Sequence, residues 1–435
     1  MTRKDYGNHR QLRLGRHRSM AVPDWMPAQS PFAIRSYRFQ WSADLMTSWA
    51  FEMETLILGW YIVVQTNSVL LVTVFGSLQF LGTLIAPFFG LAGDAVGHRN
   101  VMCLMRAAYA LLAAVLAALL LTDMLTPALA LVIAGIAGLI RPSDMGIRNV
   151  LIGETMPEDR LTSAIGLSRI TSDSARVCGA LAGASIVAIL GMGQAYLMVV
   201  VFYALGVLLT LGVSATRAAD QGPMVAASSP LRGLWEAAQA VWQAPPQLAA
   251  MLMAFLINLT AYPFTLGLLP YVARDVYGAN QAGLGYLIAA VAGGGIVASL
   301  IISRMGRAAR PARMMLVFSI VWHGLVMLFG QVDSLPGGLL LLPLIGIAQM
   351  LCLLPMSVLL LRGAPAALRG RIMGMRTLAV YGLPLGLLCS GPLIDHWGFP
   401  ATTAAYGTIG ILATLLVLGI WRSHLWPKHA PGNTG

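Results

Sequence analysis

Twelve apolar runs, each long enough to cross a bilayer, dominate this chain of 435 residues. A helix needs about 20 apolar residues to span the hydrocarbon core. The runs cover residues 39–64, 68–89, 101–121, 126–148, 164–190, 195–214, 247–270, 281–302, 314–332, 336–361, 373–394 and 400–421. Only 10% of the residues are charged, whereas roughly a quarter are charged in an ordinary soluble domain. The sequence therefore predicts an all-α integral membrane protein.

A polar stretch divides the runs into two groups of six, which predicts two pseudo-symmetric six-helix bundles. The predicted units are a basic cytoplasmic tail (1–38), an N-terminal bundle (39–214), a cytoplasmic linker (215–246), a C-terminal bundle (247–421) and a second cytoplasmic tail (422–435). In the linker, Ser229 can cap a helix that Pro230 opens, with Trp235 and Trp242 on its apolar stripe. We expect this amphipathic helix to lie flat on the membrane surface; a regulatory docking site is the alternative.

The arginines indicate the orientation. Alternate loops hold many of them, whereas the opposite loops at 65–68, 122–125, 191–194, 333–335 and 395–400 hold none. By the positive-inside rule, both termini lie in the cytoplasm and the chain spans the inner, cytoplasmic membrane several times. The net charge of +11 is thus a topology signal, and no nucleic-acid partner is expected. The basic N-terminal tail is expected to contact anionic membrane lipids.

The sequence lacks the residues that several other classes of protein need. The only lysines are Lys4 and Lys428, so no phosphate-binding loop ending in Gly-Lys-Ser/Thr exists. The four cysteines form no CxxC pair, and we expect no metal and no cofactor. His323 is the only histidine in the middle of a run, without an acid one turn away, and is interpreted as a neutral packing residue. These absences argue against a membrane enzyme and leave an ion gradient as the energy source, with protons favoured over sodium.

A short motif after the second run, GLAGDAVGHRN at 90–100, predicts a polar hairpin between two spans. Asp94 and Arg99 are placed to form a charge lock across it. The segment SLIISRMGRAA at 299–309 stands in the corresponding place after the eighth run, with Gly306 aligned to Gly97 and Ser303 to Asp94. This correspondence predicts an internal repeat.

The hairpin resembles the second-loop pattern of the major facilitator superfamily. Gly90, Asp94, Gly97 and Arg99 match that pattern, while Ala95 replaces the usual arginine. The resemblance spans essentially the whole chain. It implies two six-helix bundles that expose a central cavity alternately to either side, with Asp94 attracted to a neighbouring helix N-terminus.

Several segments are similar to the drug and siderophore exporter branch that includes the enterobactin exporter. They are LILGWYIV (56–63), LPYVARDVYG (269–278) and RGRIMGMR (369–376). GALAG (179–183) resembles the Gly-rich fifth-span motif of the antiporters, with Ala180 in place of Pro. The resemblance implies a monomeric, proton-coupled antiporter that exports amphipathic small molecules, drug-like or siderophore-like, as in multidrug resistance. The alternative is a proton-coupled symporter that takes up a small metabolite.

Acidic residues within the spans are the candidates for proton coupling, because an intramembrane charge is costly and invites a functional explanation. They are Asp44, Glu52 and Glu54. Two residues on a helix differ by about 200°, so Glu52 and Glu54 cannot both face one cavity. The alternative is that one glutamate merely pairs with a buried arginine.

The remaining charges of the first half are divided between cavity and scaffold. The resemblance implies that Arg141, on the fourth span, lines the cavity, where it binds an anionic substrate or influences Glu52. Alternatively, Arg141 and Asp144 satisfy each other three residues apart. We expect a structural ion network of Asp144, Arg148, Arg169, Asp173 and Arg176.

The second half offers adaptable polar and soft side chains, which suit varied apolar ligands. The predicted substrate contacts are Asn258 and Tyr262 on the seventh run and Gln349 and Met350 on the tenth. Ordinary helix packing is the alternative for each of them.

Overall fold

The computed structural model describes residues 30–214, 230–305, 310–362 and 368–426. In the first half the helices are α1 (Arg35–Thr66), α2 (Val69–Leu78), α3 (Ala86–Val96), α4 (His98–Leu121), α5 (Pro127–Thr155), α6 (Glu158–Leu190) and α7 (Met192–Leu211). The linker contains α8 (Pro230–Gln243). The second half has α9 (Pro245–Thr260), α10 (Leu269–Tyr271), α11 (Gln281–Met305), α12 (Pro311–Phe329), α13 (Leu335–Arg362), α14 (Arg369–Leu378), α15 (Gly382–Ile420) and α16 (Arg422–Leu425).

These helices make twelve crossings, as the apolar runs predict. Eight helices of the described chain are long and apolar enough to span a membrane, and α2 with α3 forms a ninth span bent by 43°. Gly398, with φ of 82°, divides α15 into two helices. The α1 helix has 32 residues but carries three acids, and α9 continues through π-helical turns at Pro263–Gly267 and Val272–Val276. The all-α membrane fold with two six-helix bundles is confirmed.

Two connections are shorter than the sequence predicts. The hairpin expected at 90–100 is wrong, because α3 stays helical to Val96 and only Gly97 separates it from α4. Likewise, the loop expected at 395–400 is reduced to the break at Gly398. Both glycines have a positive φ, which a residue without a side chain adopts at little cost. A single glycine therefore suffices to reverse the chain.

Each bundle is built around long helix–helix contacts, and two helix pairs form most of the contact between the bundles. In the first bundle, α1 packs on α6 and α7, and α4 packs on α5 and α7. In the second, α13 packs on α11 and α12, and α15 packs on α9 and α12. The pairs α2–α15 and α6–α11 cross between the bundles. The space between the bundles is therefore bordered on its sides by α2, α15, α6 and α11.

The membrane face at which α1 begins is called the terminal face, and the opposite one the distal face. The start of α1 and the end of α7 meet at the terminal face, where Ser36 Oγ and Ser214 Oγ are 2.6 Å apart. At the distal face, Arg274 of the second half donates to the Val63 carbonyl oxygen (2.8 Å) and to Asn67 Oδ1 (2.5 Å). The distal ends of the bundles are thus tied together.

The linker helix α8 contacts α9 and α14. Its Glu236 forms an ion pair with Arg371 of α14 at 2.6 Å. Trp235 and Trp242 are 64% and 76% exposed, so these two indoles face away from the bundles. The predicted cap Ser229, the repeat glycine Gly306 and the tails at 1–29 and 427–435 lie outside the described residues.

Candidate functional site

A cavity of about 380 Å³ lies between the bundles. Its walls are mainly apolar, with Phe75, Phe80, Leu269, Pro270 and Ile288 among them. The polar and charged groups on its walls are Glu52, Thr55, Gln79, Thr83, Arg141, Arg176, Thr265, Gln349 and Thr377. An apolar chamber with a few polar groups is typical of a site for a small organic ligand.

Glu52 and Arg176 lie next to each other on the wall of this cavity. Glu52 Oε1 is 3.5 Å from Arg176 Nε, and the two side chains are 26% and 38% exposed. Close packing of α1 and α6 sets their position, because Gly179 lies directly against Glu52 and Trp49. The pair is therefore both rigidly mounted and open to the cavity.

Glu54 points the other way, into the N-terminal bundle, and is only 5% exposed. Its carboxylate accepts hydrogen bonds from Tyr203 Oη (2.5 Å), Tyr196 Oη (3.0 Å) and Arg141 Nη2 (3.0 Å). The predicted divergence of Glu52 and Glu54 on their helix is confirmed. The two tyrosines come from α7, a contact that no pattern in the sequence indicated.

Arg141 lies on the cavity wall with Glu54 behind it. It also donates to Thr55 Oγ1 (3.0 Å) and Gln79 Oε1, and its guanidinium lies 4.4 Å from the Phe51 ring centroid. The alternative in which Arg141 pairs with Asp144 is wrong in this structure, whereas the alternative in which one glutamate pairs with a buried arginine describes Glu54. Asp144 is instead held by Arg148, one turn further along α5, at 2.7 Å.

A cluster of four buried charges fills the N-terminal bundle nearer the terminal face. Asp44 contacts Arg106 Nη2 and lies 3.4 Å from Arg148 Nε, and Arg148 binds Asp144. Arg106 also donates to Thr210 Oγ1 at 2.5 Å. All four side chains are almost completely buried. Sequence reasoning missed Arg106, although a lone arginine within the third apolar run was the available signal.

The predicted ion network does not form as one unit. Arg169 and Asp173 pair with each other at 3.3 Å, and the Arg169 side chain is 58% exposed. Arg176 pairs with Glu52 instead of its helix neighbour. On α6, Asp173 and Arg176 therefore line the space between the bundles, separate from the buried Asp144–Arg148 pair of α5.

In the second bundle, Gln349 is the predicted residue that reaches the cavity wall. Its Nε2 donates to Tyr262 Oη at 3.1 Å, while its Oε1 is buried without a hydrogen-bond partner. Met350 lines a small adjoining pocket with Asp173, Arg176 and Gln349. Asn258 donates to Ala254 of its own helix, so that amide bonds along α9.

His323 is completely buried, and both of its ring nitrogens have partners in the fold. Nε2 lies 2.7 Å from Thr260 Oγ1, and Nδ1 lies 2.8 Å from the Ser319 carbonyl oxygen. The interpretation of His323 as a packing residue therefore agrees with its surroundings.

The motif after the second span forms different contacts from those predicted. Asp94 Oδ1 lies 3.6 Å from His98 Nε2, and His98 Nδ1 lies 2.6 Å from Glu154 Oε1. Arg99 donates to the Leu211 carbonyl oxygen at 2.5 Å. Asp94 and Arg99 thus have other partners in this conformation, and the lock between them stays a prediction for the state in which the terminal face is closed. His98 follows Asp94 by one helical turn, which would have been the better sequence indication.

Comparisons with known proteins agree with this architecture. The family model of the Major Facilitator Superfamily matches residues 41–384. The fold is similar to the crystal structure of nucleoside transporter NupG, with TM-score 0.70 and 14% identity over 89% of this chain and 100% of that chain. It is also similar to the human organic anion transporter MFSD10 (TETRAN), with TM-score 0.62 and 17% identity over 90% of this chain and 100% of that chain.

A third similar structure is a bacterial homolog of the human lysosomal transporter Spinster in an inward-facing, unoccupied conformation. Its TM-score is 0.65 and its identity 14%, over 92% of this chain and 99% of that chain. No curated protein sequence matches this chain significantly. At these identities the solved structures establish the fold alone, whereas the family model spans most of the sequence. The chain belongs to the Major Facilitator Superfamily and is a multi-pass membrane transporter.

Proposed function

We propose that this transporter is a proton-coupled antiporter that exports amphipathic small molecules by alternating access. The observation that carries the proposal is Glu52, a carboxylate on the wall of an otherwise largely apolar cavity. Its ion-pair partner Arg176 lies at 3.5 Å, a loose contact that leaves both groups reachable from the cavity. Such a carboxylate can release a proton and contact the substrate when the cavity opens to one side, and it can bind a proton again when the cavity opens to the other.

The positions of the three acids favour Glu52 as the proton carrier. Glu54 is enclosed by Arg141 and two tyrosine hydroxyls, and Asp44 is enclosed by Arg106 and Arg148. A proton reaching either of those carboxylates would have to break a buried, charge-assisted contact. In our proposal Glu54 holds Arg141 in place, and Asp44 stabilises the bundle.

The contacts between the bundles support alternating access. Gly391 of α15 lies against Leu70 and Thr73 near the start of α2, at the distal end. The apolar floor of the cavity, including Leu269 and Pro270, also lies on the distal side. With the arginine-rich loops in the cytoplasm, this conformation opens inward, where an exporter collects its substrate.

The substrate class and direction follow from the exporter-like segments and the cavity. The segments at 56–63, 269–278 and 369–376 resemble the drug and siderophore exporter branch, and the cavity offers apolar walls with few polar groups. The Glu52–Arg176 ion pair on the cavity wall favours uptake by symport as a second candidate. If a substrate anion binds Arg176, Glu52 loses its partner and is free to bind a proton together with the substrate.

Proteoliposomes with an imposed pH gradient test the proposal. The probes are ethidium, phenylnaphthylamine and anilinonaphthalene sulfonate, which are cationic, neutral and anionic; none is trapped passively by a pH gradient. Antiport predicts that a probe accumulates in vesicles with an acidic lumen and that a luminal pH dye reports proton exit. Accumulation in vesicles with an alkaline lumen would instead establish symport.

The variant E52Q should move probe down its own gradient without moving protons. D333N, at an exposed residue of a connecting segment, is the matched control and should behave as the wild type. No gradient-driven accumulation of any probe, or full proton coupling in E52Q, would contradict the proposal.

We further propose that Asp94 belongs to a gate at the terminal face. Its partner in this conformation is His98, within its own bundle, which leaves it available to the opposite bundle when the terminal face closes. D94N should slow transport several-fold while probe affinity changes little, measured as flux and equilibrium binding on the same preparation. Unchanged flux at equal protein levels would remove Asp94 from the gate.

A further inference from the structure

Arg376 on α14 is a cation that the proposed function does not use. Thr377, the next residue along the chain, lines the central cavity. Arg376 is also within electrostatic range of Tyr262, whose hydroxyl accepts a hydrogen bond from the cavity residue Gln349. Among the described residues Arg376 forms no ion pair, and its side chain is half-buried within a spanning segment. An unpaired charge at such a depth is costly, so a site of this kind attracts an anion.

Further cations approach the same place from the opposite bundle. Tyr262 is within electrostatic range of Arg169, Arg176 and Arg376. Arg169 and Arg376 are also close enough to repel each other. The two bundles therefore present like charges to one another at the terminal mouth of the cavity, with Asp173 the acid beside Arg169.

Gln349 supplies an independent indication of a missing ligand. Its Oε1 is buried without a hydrogen-bond donor, while its side chain lines both the main cavity and the small pocket beside Arg176. A buried acceptor without a donor is rare in a folded protein, because it loses its contacts with water. A ligand held next to Arg176 can provide that donor through a hydroxyl or N–H group.

We propose that Arg176 and Arg376 clamp the anionic head group of an amphipathic substrate, a carboxylate, sulfonate or phosphate, whose apolar body fills the cavity. The inference rests on the proposed function, since it takes this cavity as the transport site. The bound anion neutralises the repulsion between the bundles and so draws their terminal ends together. Substrate binding is thereby linked to closure of the terminal face.

Equilibrium binding to the protein in nanodiscs tests the charge preference. Anilinonaphthalene sulfonate and phenylnaphthylamine share nearly the same apolar body and differ in the sulfonate. The wild type should bind the sulfonate more tightly than the neutral amine. R376Q and R176Q should each weaken sulfonate binding at least about tenfold, the effect of losing one charge-assisted contact.

Neutral-probe binding shows in the same sample that each variant is folded. R376K, which keeps the charge, should recover part of the sulfonate affinity. R304Q, at an exposed arginine of α11, is the matched control and should bind both probes as the wild type does. Equal affinity of the wild type for the two probes, or undiminished sulfonate binding by R376Q, would overturn the inference.

Closure is measured with spin labels on A95C and S303C, exposed sites at the terminal ends of the two bundles, in a cysteine-free background. The sulfonate should shorten the distance between the labels in the wild type and leave it unchanged in R376Q. Gradient-driven transport of the cationic or neutral probe without any anion preference would sink this inference and keep the proposed function. Closure induced by the sulfonate without gradient-driven flux would support this inference and contradict the proposed function.

Discussion

Four acidic residues of the first bundle have the same chemistry and quite different surroundings. Asp44 and Glu54 are enclosed by guanidinium groups and hydroxyls, whereas Glu52 faces the cavity and Asp173 pairs at an exposed site. The cost of removing a charge partner depends on whether water can replace it. The buried acids are therefore expected to matter for stability, and Glu52 for transport.

The variant D44N is expected to destabilise the N-terminal bundle by about 3–5 kcal/mol, because Arg106 and Arg148 lose a buried partner. The free energy of unfolding in mixed micelles measures the effect. D173N removes a comparable charge from an exposed pair and should cost less than about 1 kcal/mol. Equal losses in the two variants would contradict the structural assignment of Asp44.

Two glycines allow helices to approach each other closely, one beside the cavity and one at the distal end. A Cβ at Gly179 would lie 2.9 Å from Glu52 Cβ and 3.3 Å from the Trp49 carbonyl oxygen, so α6 is pressed against α1 beside the cavity. A Cβ at Gly391 would lie 2.8 Å from Thr73 Oγ1 and 3.1 Å from Leu70 Cα. One glycine thus positions the candidate proton carrier, and the other permits distal closure.

G179A should lower transport several-fold, because the added methyl group displaces Glu52 or separates α6 from α1. Overpacking of this kind typically costs about 1–3 kcal/mol. G166A changes the same helix where nothing lies within 4 Å of the new atom, and it should have little effect. Flux per molecule of reconstituted protein measures both variants; wild-type flux in G179A would contradict the expectation.

G391V should hinder closure between α2 and α15 and so favour opening at the distal face. G419V, on the same helix with nothing within 4 Å, is the control. Spin labels on M124C and D333C, exposed sites in the distal connections of the two bundles, should move apart in G391V alone. An unchanged distance would show that this contact does not limit closure.

At the scale of the whole molecule, the two bundles meet along the helix pairs α2–α15 and α6–α11. Arg274 reaches from the second bundle to the end of α1, contacting Val63 and Asn67. Hydrogen-bonded contacts of this kind can break and re-form, which suits a protein that must open on both sides.

R274Q should weaken distal closure by about 1.5–3 kcal/mol, the value of charge-assisted hydrogen bonds. The population of the distally open state should therefore rise by about tenfold or more. The same labels on M124C and D333C report it, with the exposed terminal-face variant R422Q as control. A distance distribution identical to that of the wild type would show that Arg274 does not hold this face closed.

The fold was predictable from the sequence to a much greater extent than the site. The number of crossings and the division into bundles depend on the length of apolar runs, which is a local property. The separation of Glu52 from Glu54 was also local, because it follows from helix geometry. The partners of Arg141, Asp94 and Arg176 were not predictable, since each depends on which helix lies opposite and how it is rotated.

The sequence alone determined that this chain lies in lipid, crosses it twelve times and contains no phosphate-binding loop. Burial of apolar side chains sets these properties, and it acts along the chain without regard to partners. Only the tertiary structure decided that Glu54 is held behind Arg141, that Arg106 completes a buried cluster and that Arg376 comes within electrostatic range of Arg169 of the other bundle. Whether a charged residue in the membrane stabilises the fold or serves transport depends on its neighbours. Those neighbours come from helices that are distant along the chain.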